Sequence, residues 1–230
     1  MNLASAIPVF AAYLLGVFLV LFLGPKGAGH PKDPFSFLNH FPYELYGDSR
    51  GPFRLFARLG EALALLSEVA LPLLLLLSYR TSLGAAASSY LTGLLIFAFL
   101  FALSYLLMTL VPASNEKAHL SLFFSSSALS TLSFTMDGLF MMVLIKSTSG
   151  KELLYIVVGF LFTLALVTIA LPFHPKMKRW AELEQVSEKD GTVSYRRPHF
   201  FILAFQEWLL SLFRAVGFVL ALFGFLLLSL

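Results

Sequence analysis

Cysteine is absent from the 230 residues, and charge is scarce: 13% are Asp, Glu, Lys or Arg. Without thiols there is no disulfide framework, no thiolate metal site and no cysteine nucleophile. A soluble domain carries about 25% charged residues. Half that share, beside a 58% hydrophobic composition and long apolar runs, marks an integral membrane protein. Other gaps narrow the function. No Lys lies inside an apolar run, so a retinal Schiff base has no attachment point, and no His lies at mid-depth for haem ligation. There is no arginine ladder for voltage sensing. Nucleophile-elbow, phosphate-loop and kinase patterns are missing as well. No catalytic set, cofactor, metal site or nucleic-acid partner is therefore expected.

What is present is hydrocarbon-compatible length. A spanning helix needs about 20 predominantly apolar residues. Six stretches qualify: 6–24, 59–79, 83–111, 119–145, 153–172 and 203–229. They predict an all-α bundle of six membrane helices forming a single domain over residues 1–230. The first run lacks a positive leader and is followed by Gly24-Pro25-Lys26, a poor cleavage site, so it reads as a retained span. Two connections are long. Residues 25–58 are rich in Gly and Pro but carry Phe35, Phe37, Phe41, Tyr43, Tyr46, Phe53 and Phe56. Disordered linkers are short of aromatics, so this loop is expected to be ordered along the membrane interface. In 173–198, Asp190-Gly191 between β-prone flanks signals a two-residue hairpin turn. Together these predict an ordered cap.

Charge sets the orientation. Loops 25–58, 112–118 and 173–198 share one face and hold twelve of the sixteen Lys and Arg, from Lys26 to Arg197. The other face has only Arg80, Lys146 and Lys151. The bias predicts a cell-membrane protein whose loop-rich face is cytoplasmic and whose termini are both outside. A basic, aromatic face of this kind suits anionic lipid headgroups or a protein partner, including a second copy of the chain.

Few polar residues interrupt the runs. His119, Ser126, Ser130, Ser133 and Asp137 fall on one face of the fourth span, with Asp137 roughly 13 Å along the helix from Lys146. Two readings stand: helix packing through small hydroxyl residues, or a hydrated path with Asp137 as a proton- or cation-binding carboxylate. In the second span Glu61 and Glu68 lie seven apart, hence on one face, and Pro72 follows Glu68 by one turn. In the last span Glu207 and Arg214 are again seven apart. Counting back from Leu230 puts Glu207 and Trp208 at the interface and Arg214 about one turn inside, roughly 6 Å. Its depth matches the acids of the second span, so Arg214 is expected to pair with Glu68 or Glu61. Glu207, two turns away on the same helix, is the weaker partner, and snorkelling to water is the rival account. Small residues at Gly84, Ser88 and Thr92, and at Gly159 and Thr163, read as close helix contacts.

All five histidines, His30, His40, His119, His174 and His199, fall on the cytoplasmic side, where Asp33, Glu44 and Glu207 could complete a metal site. No paired spacing supports one. Three functions are compatible with this sequence. The first, and the one expected because helix packing explains most of the polar residues, is a non-catalytic accessory or scaffold subunit acting through its basic, aromatic face. The second is a small proton- or cation-coupled transporter or channel using Glu68 and Asp137. The third is a lipid-processing enzyme with an interfacial histidine site.

Overall fold

The structure is a computed structural model. It describes residues 3–30, 33–37, 40–47, 51–79, 84–111, 114–145, 152–179, 184–187, 193–196 and 200–229. The helices are α1 (Leu3–Phe18), α2 (Pro42–Gly47), α3 (Pro52–Tyr79), α4 (Ala85–Leu110), α5 (Glu116–Ile145), α6 (Glu152–Ala170) and α7 (Phe200–Ser229). α1 continues through a π turn (Leu19–Leu23) and a 3-10 turn (Gly24–Gly27). All but α2 are long and apolar enough to cross a membrane. Apolar side chains such as Leu66, Leu77, Phe99, Phe160 and Leu166 stand exposed on their outer faces, a surface suited to hydrocarbon.

The helices lie where the apolar runs are, with one extension. Residues 52–58, expected as loop, form the first two turns of α3. Gly51 turns the chain with φ +60°, a left-handed conformation that glycine adopts without steric cost. Pro52 then starts the helix at a position where its missing N–H has no helical acceptor to lose. α3 runs on through Pro72 to Tyr79.

Consecutive long helices are neighbours: α1 packs on α3, α3 on α4, α4 on α5, α5 on α6 and α6 on α7. α5 also meets α7, and α7 also meets α1, so α5 and α7 each have three long partners among the described residues. Phe134, Phe140, Met141, Leu161 and Phe225 fill one half of the interior, and Phe41, Phe101, Phe123, Leu203 and Leu210 the other. At one crossing there is no room for any side chain. A Cβ on Gly16 would lie 2.5 Å from the Gly60 carbonyl oxygen, and a Cβ on Gly60 would lie 2.6 Å from that of Gly16. α1 and α3 thus meet backbone to backbone.

The small-residue pattern expected to make such contacts does not. Gly84, Thr92, Gly159 and Thr163 are exposed, and nothing approaches a Cβ built on either glycine. The hydroxyls of Thr92 and Thr163 instead donate to Ser88 and Gly159 carbonyls of their own helices, both at 2.8 Å. That bond satisfies the hydroxyl without a neighbouring helix, so small size alone did not imply packing.

Between α1 and α3 the chain pairs Gly29–His30 (β1) with Asp33–Pro34 (β2). α2 is then capped by Glu44, whose carboxylate accepts the Phe41 N–H at 2.8 Å. Phe41 and Leu45 are fully buried, and Phe35 and Phe37 stand edge-on to Trp208. Before α7, Glu184–Ser187 (β3) and Val193–Arg196 (β4) pair antiparallel, from Glu184 opposite Arg196 to Ser187 opposite Val193. The Asp190-Gly191 turn lies outside the described residues.

Candidate functional site: a charged centre between three helices

Arg214 lies midway along α7, Glu68 past the middle of α3, and Asp137 on the inner face of α5. Each is 7% exposed. The Arg214 Nε donates to Glu68 Oε2 at 2.9 Å, and Nη2 donates to the same oxygen. Its Cζ stands 4.1 Å from the centre of the Phe101 ring and 5.4 Å from that of Phe134. The guanidinium therefore has a carboxylate on its edge and aromatic rings on its faces, two environments a planar cation accepts together. The expected Arg214–Glu68 pair is present. Snorkelling is not, because the guanidinium is buried against Glu68, and α7 begins at Phe200, seven residues before Glu207. Arg214 is consequently several turns from either helix end.

Space opens on both sides of this pair. A cavity of about 140 Å³ lies between α1, α3, α4 and α7. Its walls include Val17, Leu65 and Phe101, and its polar lining includes Glu61, Glu68, Tyr105, Ser211 and Arg214. Ser211 donates its one proton to the Glu207 carbonyl at 3.2 Å, so the Tyr105 hydroxyl donates to Ser211, at 2.5 Å. Glu61 is half-buried at this cavity, whereas Glu68 holds the guanidinium. On the other side, a void of about 20 Å³ is lined by Glu68, Ser133, Asp137 and Arg214 among apolar neighbours. Asp137 Oδ1 is buried there without a hydrogen-bond partner among the described residues.

The α5 polar face is buried throughout: His119, Ser126 and Ser130 are 0% exposed and Ser133 1%. Its members do different things. Ser126 shares a 3.0 Å hydrogen bond with Ser104 of α4, and Ser133 donates to the Leu129 carbonyl at 2.9 Å. The Ser130 hydroxyl has no partner among the described residues. His119 leaves the stripe for a second site.

At that second site Glu207 is shielded from solvent: it is 1% exposed and 2.6 Å from His119 Nε2. The physical reason lies in the covering loop. Phe41 stands edge-on over His119, and Trp208 donates to the His40 carbonyl at 2.8 Å, so loop residues replace water above both. His119 Nδ1 is 2.6 Å from the Val111 carbonyl, which can only accept, so Nδ1 carries a hydrogen. One proton then lies between Nε2 and the carboxylate, and the pair is neutral overall whichever atom holds it. The sequence put both on one side as candidate metal ligands, but no periodicity connects positions 119 and 207 to mark them as a hydrogen-bonded pair.

The histidines do not converge. His40 lies beside Phe35, and His174 accepts from the Lys176 N–H at 3.3 Å. The side chains of His30 and His199 lie outside what is described. Among the described residues no three His, Asp or Glu side chains are placed to hold a metal ion. No protein-family model, curated protein or solved structure matches the chain.

Proposed function

We propose that this is a small proton- or cation-coupled transporter of the cell membrane, with both termini outside. The observation that carries the reading is one arginine facing two acids. Arg214 is bonded to Glu68, and the same void holds Asp137, with an oxygen that has no partner among the described residues. One guanidinium balances one carboxylate. A second ionised carboxylate in an apolar interior would cost several kcal/mol, roughly, unless a mobile cation met it. Asp137 is then the exchangeable site, and the Glu68–Arg214 pair is the partition between it and the 140 Å³ cavity, which serves as the substrate vestibule. Breaking that pair joins the two spaces, which is the movement alternating access requires.

The described parts of 25–51 and 173–198 form an ordered cytoplasmic cap in this reading. Support comes from the burial of Phe41 and Leu45, the rings on Trp208, and the β3–β4 pairing. A second reading, an accessory subunit that binds anionic headgroups or a protein partner, is favoured by the exposure of Arg54, Arg58, Lys117, Lys176 and Arg179.

The experiment is reconstitution of the full chain in vesicles under imposed proton, sodium or potassium gradients. The wild type should carry at least one of these ions, and Asp137→Asn, which keeps shape and removes charge, should reduce uptake to the protein-free level. Wild-type uptake in Asp137→Asn, or none in the wild type, removes the transport reading and leaves the accessory one.

A further inference from the structure

We infer that the void between α3, α4, α5 and α7 binds a single water molecule, and that the ion exchanged at Asp137 is a proton. The inference rests on the transport reading only for its second half. Size comes first: about 20 Å³ accepts one water, which needs roughly 10–15 Å³ of such space and two to four polar partners. The partners are in the wall. Asp137 Oδ1 is an acceptor with no donor among the described residues. Ser133 gives its proton to the Leu129 carbonyl, so its oxygen presents lone pairs. Glu68 supplies carboxylate oxygen and Arg214 supplies N–H donors. A water that donates to Asp137 and Ser133 and accepts from Arg214 would satisfy the buried oxygen, whose desolvation is otherwise uncompensated.

Charge then selects the ion. The groups facing Asp137 across the void are Glu68 and Arg214. A metal cation entering there would shed its hydration shell for one water's volume and stand beside a fixed guanidinium. Both terms oppose it. A proton needs neither space nor a shell: it passes to the Asp137 carboxylate along the bound water, and leaves the same way. Atoms balance with Glu68 as the source: protonated from the 140 Å³ cavity, which it also lines, the Glu68 carboxyl gives its proton to the water as the water gives one to Asp137, leaving Glu68 ionised beside Arg214 and the water intact.

The test uses the full chain in phosphatidylcholine–phosphatidylglycerol vesicles. Solid-state NMR reads magnetisation passed from water to the Asp137 side chain, a trapped pH dye reads proton uptake, and a sodium-sensitive dye reads sodium uptake. Water transfer should reach Asp137 in the wild type and be lost in Ala98→Val, whose added methyl groups fill the void that Ala98 lines. Proton uptake should slow about tenfold in Ala98→Val and in Ser133→Ala, the rate equivalent of one lost hydrogen bond. Ser133→Ala removes volume rather than adding it and carries the test if Ala98→Val does not fold. A dry Asp137 overturns the water site whatever the fluxes are. Water at Asp137 with sodium uptake in place of proton uptake overturns the proton and spares transport. Water at Asp137 with no uptake of either ion removes transport and the proton together.

Discussion

A guanidinium in an apolar interior is tolerated only while its partners stay. Arg214 has one carboxylate and two rings, so each substitution removes a different part of its support. Arg214→Leu strands Glu68 and should destabilise the bundle by about 3–5 kcal/mol. Arg214→Leu with Glu68→Gln should recover part of the loss, because no charge is left alone. Unfolding titrations in mixed micelles, arranged as a double-mutant cycle, measure this. A coupling energy of zero would mean that the pair contributes nothing. Arg214→Lys is a separate probe. It keeps the charge but cannot stack a flat face on Phe101, so its loss should lie between wild type and leucine. The pair itself was readable from depth and sign. The rings were not, because Phe101 and Phe134 look like any other core aromatic until their helices are placed.

At the scale of elements, the closest approach is between α1 and α3. Gly16→Ala and Gly60→Ala each put a methyl group against a backbone oxygen that cannot turn aside. Both variants should push α1 outward and lower the unfolding midpoint, whereas Gly84→Ala and Gly159→Ala, where space is open, should be neutral or slightly stabilising. Thermal unfolding of the four variants separates the two classes, and similar losses in all would discard the distinction. The positions of the long helices were evident because hydrocarbon demands uninterrupted apolar length. Which glycines touch was not, since spacing of small residues is the same on a face toward lipid as on one toward a neighbour. Glu207 and His119 were hidden for a related reason. Their pairing depends on how a loop with Phe41 folds over two helix ends, a matter of tertiary contact and not of period.

For the whole molecule, the expected orientation and the charged centre are linked. With the termini outside, His119 and Glu207 lie near the cytoplasmic end and Asp137 nearer the outer one. The chain has no cysteine, so single cysteines can be introduced without background. A cysteine at position 2 should react with an impermeant maleimide from outside intact cells, and one at position 189 only after permeabilisation. The reverse pattern would invert the bundle and with it the direction assigned to the vestibule.

The arginine and its acid are 146 residues apart in the chain. α3 is therefore made well before α7, and at about 5–20 residues per second Glu68 waits on the order of ten seconds for its cation. During synthesis the half-finished bundle carries an acid inside lipid with nothing to answer it. To the membrane's quality-control proteases such a chain is expected to look defective until its last helix arrives. A chain stopped after residue 199 should accordingly be cleared quickly in a pulse-chase, and Glu68→Gln in that shortened chain should lengthen its life. That outcome would make the charge that joins two helices in the finished protein a timer on its making as well.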